Sequence, residues 1–315
     1  MQWFASAPSN IALIKYMGKQ DGDTNLPLNA SLSYTLDALK SSVSMEIHPG
    51  QVDFWEPLLT PGAMDFELSM AAQARFLQHL QRLKKHFNYH GAFMVRSSNN
   101  FPLGTGLASS ASSFAALTKC AVLALGELTG QAVPSIEECA QLSRLGSGSS
   151  CRSFFGPWAL WEGEQVQALD LPYPQLLHQV ILVSHDEKEV SSSEAHQRIR
   201  TSPYYLSRPQ RAANHLSALR VALESKNWHA AYQVCWEEFH DMHQLFTTCA
   251  HPFSYIRESS QALLSTLQSF WREHNDGPLV TMDAGPNIHL LYRPDQAALA
   301  HAFKCDHLLT NYDIL

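Results

Sequence analysis

The chain has 315 residues, of which 45% are hydrophobic, and it carries a formal net charge of −7 at pH 7. A chain of this length is expected to form about two domains, and its hydrophobic content is ample for their cores. The negative charge argues against a nucleic-acid-binding surface, because such domains are generally basic, so local cationic groups would have to attract any anionic ligand.

The first informative segment is residues 10–19, with the sequence NIALIKYMGK. If this segment is a strand, Lys15 and Lys19 lie on one face, because side chains an even number of positions apart point the same way. Two ammonium groups this close repel each other unless an anion lies between them. The segment therefore indicates an anion-binding pair, and the alternative is two solvated surface lysines beside a core Tyr16.

Two hydrophobic patterns follow along the chain. Apolar residues at positions 43, 45 and 47 alternate, which is typical of a half-buried strand. Apolar residues at positions 72, 76, 80, 83 and 87 recur at helical spacing and predict an amphipathic helix. We interpret both stripes as surfaces that pack into the core, not as cofactor contacts.

Residues 99–112, with the sequence NNFPLGTGLASSAS, run from a predicted strand at 92–95 into a small-residue helix that continues to about position 125. Pro102 keeps the residue before it extended, and two glycines relax the backbone. Ser109 and Ser110 stand where the helix begins, so free amides, the helix dipole and two hydroxyls form a site for a nucleotide phosphate. No lysine follows the glycines, so this is neither a common P-loop nor a dinucleotide fingerprint, and an ordinary loop is the alternative.

A third polar segment, residues 146–153 with the sequence GSGSSCRS, follows a predicted helix. That helix starts at Ser135, which can form a capping box with Glu138 after Pro134. The segment offers serine hydroxyls, backbone amides and the guanidinium of Arg152, whose planar fork suits a carboxylate or a phosphate. A flexible turn is the alternative interpretation.

The second half begins with a predicted strand at 180–183 and a serine run at 191–193, which is typical of a helix cap. Helices at 209–225, 228–246 and 260–273 precede strands at 279–282 and 288–292. Asp283 lies in the turn between these strands, where Asp is common for local reasons. We predict an N-terminal domain of residues 1–178 and a C-terminal domain of residues 179–315, with catalysis in the cleft between them.

A zinc site, another transition-metal site and a disulfide framework are not expected. The six cysteines lack Cys-x-x-Cys spacing. His240 and His243 share one helix face, but the His-Glu-x-x-His spacing of a metalloprotease is missing, so we interpret them as helix-surface residues. The sequence shows no charged leader with a cleavable apolar stretch and no uninterrupted apolar run of membrane-spanning length, so we expect a soluble cytoplasmic protein without a membrane partner.

Together, these segments resemble one known family. Residues 10–19 are similar to the Asn-Ile-Ala-x-x-Lys-Tyr-Trp-Gly-Lys segment of the diphosphomevalonate decarboxylases, in the GHMP kinase superfamily. Residues 101–110 resemble their nucleotide loop, residues 146–153 their Gly-Ser-Gly-Ser-Ala-Cys-Arg-Ser loop, and residues 283–287 their Asp-Ala-Gly-Pro-Asn turn. The similarities occur in family order over nearly the whole chain.

The resemblance implies an α+β fold, with an N-terminal mixed-sheet domain that carries the nucleotide loop and C-terminal helices packed on an antiparallel sheet. It also implies the ATP- and Mg²⁺-dependent decarboxylation of mevalonate 5-diphosphate to isopentenyl diphosphate, with release of ADP, phosphate and CO₂. This reaction belongs to isoprenoid biosynthesis by the mevalonate pathway. A homodimer is expected on the same ground.

The resemblance also assigns roles to residues. Asp283 would face the 3-hydroxyl of the substrate, Lys15 would lie beside it, and Arg152 would hold the substrate carboxylate. The residues implied to bind substrate are Asn10, Tyr16, Lys19, Ser147, Ser149, Arg152 and Ser192. Those implied to bind ATP are Asn99, Gly104, Gly106, Leu107, Ala108, Ser109 and Ser110, and the last two would also contact magnesium.

Several positions depart from the family pattern, among them Met17, which stands where the family usually has Trp. A lost diphosphate contact would shift the preference toward a monophosphate, so a phosphomevalonate decarboxylase is one alternative. A GHMP small-molecule kinase that stops at the phosphorylated alcohol is another, although related 3-kinases lack the pair formed by Lys15 and Asp283. A non-catalytic metabolite-binding protein is the third alternative.

Overall fold

The computed structural model describes residues 1–59, 67–102, 109–184, 188–309 and 312–315. The predicted nucleotide-loop residues Gly104, Gly106, Leu107 and Ala108 lie outside these ranges. The first half contains strands β1 to β6 and helices α1 to α3. These strands are Gln2–Ile14, Ser31–His48, Phe54–Pro57, Ala92–Asn99, Trp158–Glu162 and Gln165–Leu169, and the helices are Met70–His86, Ser109–Thr129 and Ile136–Arg144, followed by a 3₁₀ helix at Gly148–Phe154.

The second half contains strands β7 to β10 and helices α4 to α8. The strands are Leu177–Leu182, Leu279–Thr281, Ile288–Tyr292 and Asp313–Ile314. The helices are Ser192–Arg198, Arg208–Glu224, Trp228–Thr248, Glu258–His274 and Ala297–Phe303. Short 3₁₀ turns at Ile199–Thr201 and Pro294–Gln296 and a π-helical turn at Lys304–Leu308 complete this part.

The first sheet is mixed and has the strand order β3-β4-β2-β5-β6, with β1 paired to β2. β3 runs parallel to β4, and the other pairs are antiparallel. Val43 and Met45 are fully buried on β2, as the alternation predicts, but Ile47 near the end of the strand is 45% exposed. The alternation therefore predicts the strand correctly. Its implication that Ile47 is buried like Val43 and Met45 is wrong.

Helices α1 and α2 cover this sheet. Phe76, Leu80 and Leu83 of α1 are buried, as their helical spacing predicts. By length and composition alone, α2 could cross a membrane, and 72% of its apolar window is buried inside the protein. Its apolar composition is that of a helix surrounded by protein on most sides.

The start of α3 is determined by its capping box. The Ser135 hydroxyl accepts the Glu138 backbone N–H at 3.2 Å, and the Glu138 carboxylate accepts the Ser135 backbone N–H at 2.8 Å. Two backbone amides that lack partners in the first helical turn are thereby satisfied. The local prediction of this helix start is confirmed.

The second sheet is antiparallel, with the order β10-β7-β9-β8, and helices pack against it. Its core continues without interruption into the first half. Ile11 and Leu13 of β1 belong to the same buried cluster as Ile181 of β7 and Leu290 of β9. The α+β fold implied by the resemblance is confirmed, and the shared core fixes the end of β1 against the C-terminal half.

Candidate active site

An open cavity of about 430 Å³ lies where the two halves meet. It contains residues from the end of β1, from the start of α2, from the 3₁₀ helix after α3, and from the loops before α4 and after β8. The predicted site residues that line it are Lys15, Tyr16, Lys19, Ser109, Ser110, Ser147, Ser149, Arg152, Ser192 and Asp283. Segments distant in sequence thus contribute to one pocket that contains several charged and hydroxyl side chains.

The centre of this pocket is an ion pair between Lys15 and Asp283. The Nζ atom of Lys15 lies 2.7 Å from Oδ1 of Asp283, and their side chains are 1% and 26% exposed. Burial lowers the pKa of Lys15, while the neighbouring Asp283 carboxylate acts in the opposite direction. The partly exposed carboxylate is therefore paired with a cation on its protein side and is open to the cavity on the other.

The backbone conformation that places Lys15 and Lys19 in the pocket differs from the predicted strand. β1 ends at Ile14, so neither lysine lies on a strand and the alternation argument is wrong for them. The chain turns at Gly18, whose φ of +103° lies in the region that favours glycine, and Lys19 then forms a short bridge with Pro27. The turn brings both ammonium groups to one cavity.

Arg152 is held in a fixed orientation by two hydrogen bonds. Its Nε atom donates to Oδ1 of Asn10 at 3.1 Å, and Nη1 donates to the Ser31 hydroxyl at 2.6 Å. Within the described part of the chain, Nη2 has no such partner, and Arg152 lines the cavity. Asn10 does not line it: the structure places this predicted substrate contact behind Arg152, where its amide also donates to the Ser153 hydroxyl.

Lys19 and Tyr16 form one end of the pocket. The Lys19 ammonium donates to Oδ1 of Asn25 at 2.7 Å, and the Tyr16 hydroxyl donates to the carbonyl of the same residue at 3.1 Å. Burial, with Arg75 adding to it, lowers the pKa of Lys19. An added Cβ on Gly148 would lie 2.6 Å from the Tyr16 hydroxyl, so a glycine is needed there. A bound anion would stabilise this partly buried cation.

The start of α2 forms a second wall. Ser109 and Ser110 open this helix and line the cavity, and the Ser147 hydroxyl lies 3.3 Å from that of Ser110. Helix amides and hydroxyls at this wall fit the phosphate site predicted from the sequence. Asn99 does not line the cavity, and its Oδ1 accepts the Ser41 hydroxyl at 2.6 Å.

Two further cations in the pocket were missed by sequence reasoning. Arg75 of α1 donates to the Gly146 carbonyl at 3.1 Å, and Lys188 donates to the Ser192 hydroxyl at 2.8 Å and to the Ala284 carbonyl at 3.0 Å. Helical periodicity identified only the apolar face of α1. For Lys188, the serine run that follows at 191–193 was the sequence feature that could have indicated a position near the pocket.

A buried network of charged side chains around Glu238 holds the backbone of Lys15 in place. Oε1 of Glu238, on α6, accepts the Lys15 backbone N–H at 2.9 Å. The same carboxylate pairs with Arg208 and lies 2.6 Å from Nδ1 of His215. Burial alone would raise the pKa of Glu238, but Arg208 and these hydrogen bonds outweigh it and lower the pKa to about 2. The signal in the sequence was an acidic residue on an otherwise apolar helix stripe with Cys235 and Phe239.

The histidines of the second half are not all surface residues. His243 is buried, so the expectation of a helix-surface position is wrong for it. Burial, with Lys15 adding to it, lowers its pKa to about 3. Within the described ranges no group of three or more His, Cys, Asp or Glu side chains could hold a metal ion. A metal at this pocket would therefore depend on ligand oxygens in addition to protein atoms.

Comparison with known proteins gives consistent results. A family model for the diphosphomevalonate decarboxylase-like N-terminal domain matches residues 7–169, and a model for the mevalonate 5-diphosphate decarboxylase C-terminal domain matches residues 179–310. A diphosphomevalonate decarboxylase from Saccharomyces cerevisiae is 30% identical over 95% of this chain and 79% of its own.

Two solved structures are similar along the whole chain. A crystal structure of a mevalonate diphosphate decarboxylase from Legionella pneumophila has 62% identity and a TM-score of 0.95, with 100% of both chains covered. A structure of a protein named MDDEF in complex with MVAPP, AMPPCP and magnesium has 28% identity and a TM-score of 0.87, with 100% of this chain and 96% of that one covered.

Proposed function

The chain belongs to the diphosphomevalonate decarboxylase family, and we propose that it converts mevalonate 5-diphosphate and ATP to isopentenyl diphosphate, ADP, phosphate and CO₂, as a step of isoprenoid biosynthesis by the mevalonate pathway. The observation that carries this proposal is the contact between Lys15 and Asp283 in a cavity lined by cations and serines. This pair joins the two halves, and in the proposal the reacting alcohol binds beside it.

Asp283 and Lys15 act at the tertiary alcohol. The Asp283 carboxylate can accept the proton of the 3-hydroxyl as the oxygen is phosphorylated, or stabilise the positive charge that develops when the phosphate leaves. Lys15, whose ammonium lies 2.7 Å from this carboxylate, can stabilise the negative charge on the transferred phosphoryl group. Phosphorylation is needed because hydroxide is a poor leaving group.

Arg152 orients the bond that breaks. Two of its nitrogens are held by Asn10 and Ser31, so the guanidinium presents the remaining nitrogen to the cavity in a fixed plane. In this position it can hold the substrate carboxylate beside the tertiary carbon. As phosphate departs with the C–O electron pair, the C–C pair of the leaving carboxylate forms the new double bond and CO₂ is released.

The remaining pocket residues fit the phosphates of both substrates. Lys19, Tyr16, Ser147, Ser149 and Ser192 surround the space for the substrate diphosphate. Ser109 and Ser110 at the start of α2, with Lys188, fit the phosphates of ATP, and the two hydroxyls suit magnesium, which binds few protein oxygens when phosphates complete its shell. When bound, magnesium neutralises charge on those phosphates.

We further propose that the protein is a cytoplasmic homodimer that binds neither nucleic acid nor membranes. The net charge of −7 supports the absence of a nucleic-acid surface. The burial of most of the apolar window of α2 supports its place in a folded core. Light scattering on the purified protein measures the oligomeric state directly.

The experiment that tests the function compares products. Purified protein is incubated with ATP, Mg²⁺ and mevalonate 5-diphosphate, and ADP and CO₂ are measured together. Equal amounts of both support the decarboxylase, ADP alone indicates a kinase, and neither product indicates a binding protein. The same reaction with mevalonate 5-phosphate determines which substrate is preferred.

A further inference from the structure

His196 of α4 is a cavity residue that the proposed mechanism does not use. It lines the pocket and is 8% exposed. Its Nδ1 atom accepts the backbone N–H of Gly18 at 2.9 Å. Its ring packs on Tyr16, with centroids 4.7 Å apart. These contacts hold the imidazole beside the turn that carries Lys19.

The hydrogen bond from Gly18 determines the tautomer. Nδ1 is an acceptor, so the single proton of the neutral ring is on Nε2. Burial, with Lys19 adding to it, lowers the pKa of His196 to about 3, so the ring stays neutral at physiological pH. Within the described part of the chain, Nε2 makes no hydrogen bond, and its proton is available to a ligand.

We propose that His196 binds the substrate diphosphate by donating Nε2–H to an oxygen of its terminal phosphate. This inference rests on the proposed function and extends it to substrate choice. Lys19 and Arg75 already make this end cationic, and a neutral donor adds a hydrogen bond to an anion without adding repulsion between cations. The contact distinguishes mevalonate 5-diphosphate from mevalonate 5-phosphate, which lacks the second phosphate.

Two substitutions test the roles of the two ring nitrogens of His196 separately. In His196→Asn the side-chain oxygen can still accept the Gly18 N–H, but the side chain is too short to reach the Nε2 position. In His196→Gln the amide reaches the Nε2 position and keeps a donor there. We expect His196→Asn to raise KM for mevalonate 5-diphosphate about tenfold with kcat nearly unchanged. His196→Gln should stay within about threefold of the parent. His90→Asn, at an exposed position, is the surface control.

Substrate comparison gives the second readout. His196→Asn should leave KM for mevalonate 5-phosphate and for ATP unchanged, so the preference for the diphosphate over the monophosphate falls about tenfold. An unchanged KM for the diphosphate overturns the proposal. Equal losses with both substrates, or a loss in His196→Gln as large as in His196→Asn, also overturn it, because removal of the Nε2 donor alone predicts neither pattern.

Calorimetric titration of the protein with mevalonate 5-diphosphate tests the His196 contact independently of the proposed enzymatic activity. If the parent protein binds the compound without turnover, the decarboxylase proposal fails, and weaker binding by His196→Asn still supports the contact. If the parent does not bind it, both proposals fail. Thermal unfolding of each variant shows whether the fold is retained. If His196→Asn does not fold, His196→Ala, which also removes the Nε2 donor, is compared with the parent in the same titration, and binding equal to that of the parent overturns the contact.

Discussion

At the scale of single residues, the site depends on the charge of Asp283. We predict that Asp283→Asn lowers kcat by about 10³-fold, because the amide neither accepts the hydroxyl proton nor stabilises a developing cation. ATP affinity should be retained, since the amide is nearly isosteric. Release of CO₂ and titration with a non-hydrolysable ATP analogue measure the two quantities, and near-normal turnover would refute the role given to the carboxylate.

Arg152 provides a test of geometry at constant charge. We predict that Arg152→Lys lowers kcat/KM by about 10²-fold, because a lysine cannot bond to Asn10, Ser31 and the substrate at once. Arg220→Lys on the surface of α5 is the matched control and should leave the kinetics unchanged. Unaltered kinetics of Arg152→Lys would count against the carboxylate contact.

Gly148 determines how closely Tyr16 can approach. An added methyl group would lie 2.6 Å from the Tyr16 hydroxyl, so Tyr16 would have to move out of its contact with Asn25. We expect Gly148→Ala to raise KM for mevalonate 5-diphosphate more than KM for ATP, because Tyr16 lies at the substrate end. Steady-state kinetics with each substrate varied in turn would show it, and equal effects on both would contradict this placement.

At the scale of elements, helix α6 supports the catalytic lysine through Glu238. We predict that Glu238→Gln lowers the free energy of unfolding at pH 7 by about 3 kcal/mol, because buried Arg208 loses the more deeply buried of its two anionic partners. Denaturant unfolding measures this loss. Asp241→Asn, which removes a less buried partner of the same arginine, should cost less.

The same carboxylate predicts a pH dependence. The pKa of Glu238 is lowered in the folded protein from 4.5 to about 2, so its stabilising contribution is present above pH 4.5 and is lost as the pH falls toward 2. The difference in unfolding free energy between the parent and Glu238→Gln should therefore shrink between pH 4.5 and pH 2. A difference that is constant over this range would show that the carboxylate is not ionised in the fold.

Local elements were the part of the fold that sequence could predict. The α3 start followed from Ser135 and Glu138, because both partners of a capping box lie within one turn. The strand assignment of Lys15 failed because β1 ends one residue earlier, and a strand end depends on which partner strand continues. The burial of His243 was missed because the face a helix buries depends on its neighbours in space.

At the scale of the whole molecule, the resemblance predicted which segments meet, and the local sequence did not. Lys15 contacts both Glu238 and Asp283, residues more than two hundred positions away, and no periodicity connects such positions. Sequence reasoning missed Arg75 and Lys188 in the pocket because no sequence periodicity connects them with the other pocket residues. Lys15, Arg152 and Asp283, which family motifs predicted, line the pocket, whereas Asn10 from the same motifs does not.

The shared core of the two halves gives a prediction about cooperativity. Ile11 and Leu13 pack in one cluster with Ile181 and Leu290, so neither half can unfold without exposing apolar surface of the other. We expect a single calorimetric transition, with equal van't Hoff and calorimetric enthalpies per folding unit. Two resolved transitions would show that residues 1–178 and 179–315 unfold independently.

The ion pair between Lys15 and Asp283 also has a consequence for synthesis on the ribosome. Lys15 leaves the exit tunnel early, and its carboxylate partner is 268 positions behind it. Until nearly the whole polypeptide has been translated, the ammonium group of Lys15 lacks the Asp283 carboxylate. Burying this ammonium group without its ion-pair partner would be unfavourable. A prematurely terminated product would therefore lack turnover, and the catalytic centre is among the last parts of the protein to assemble.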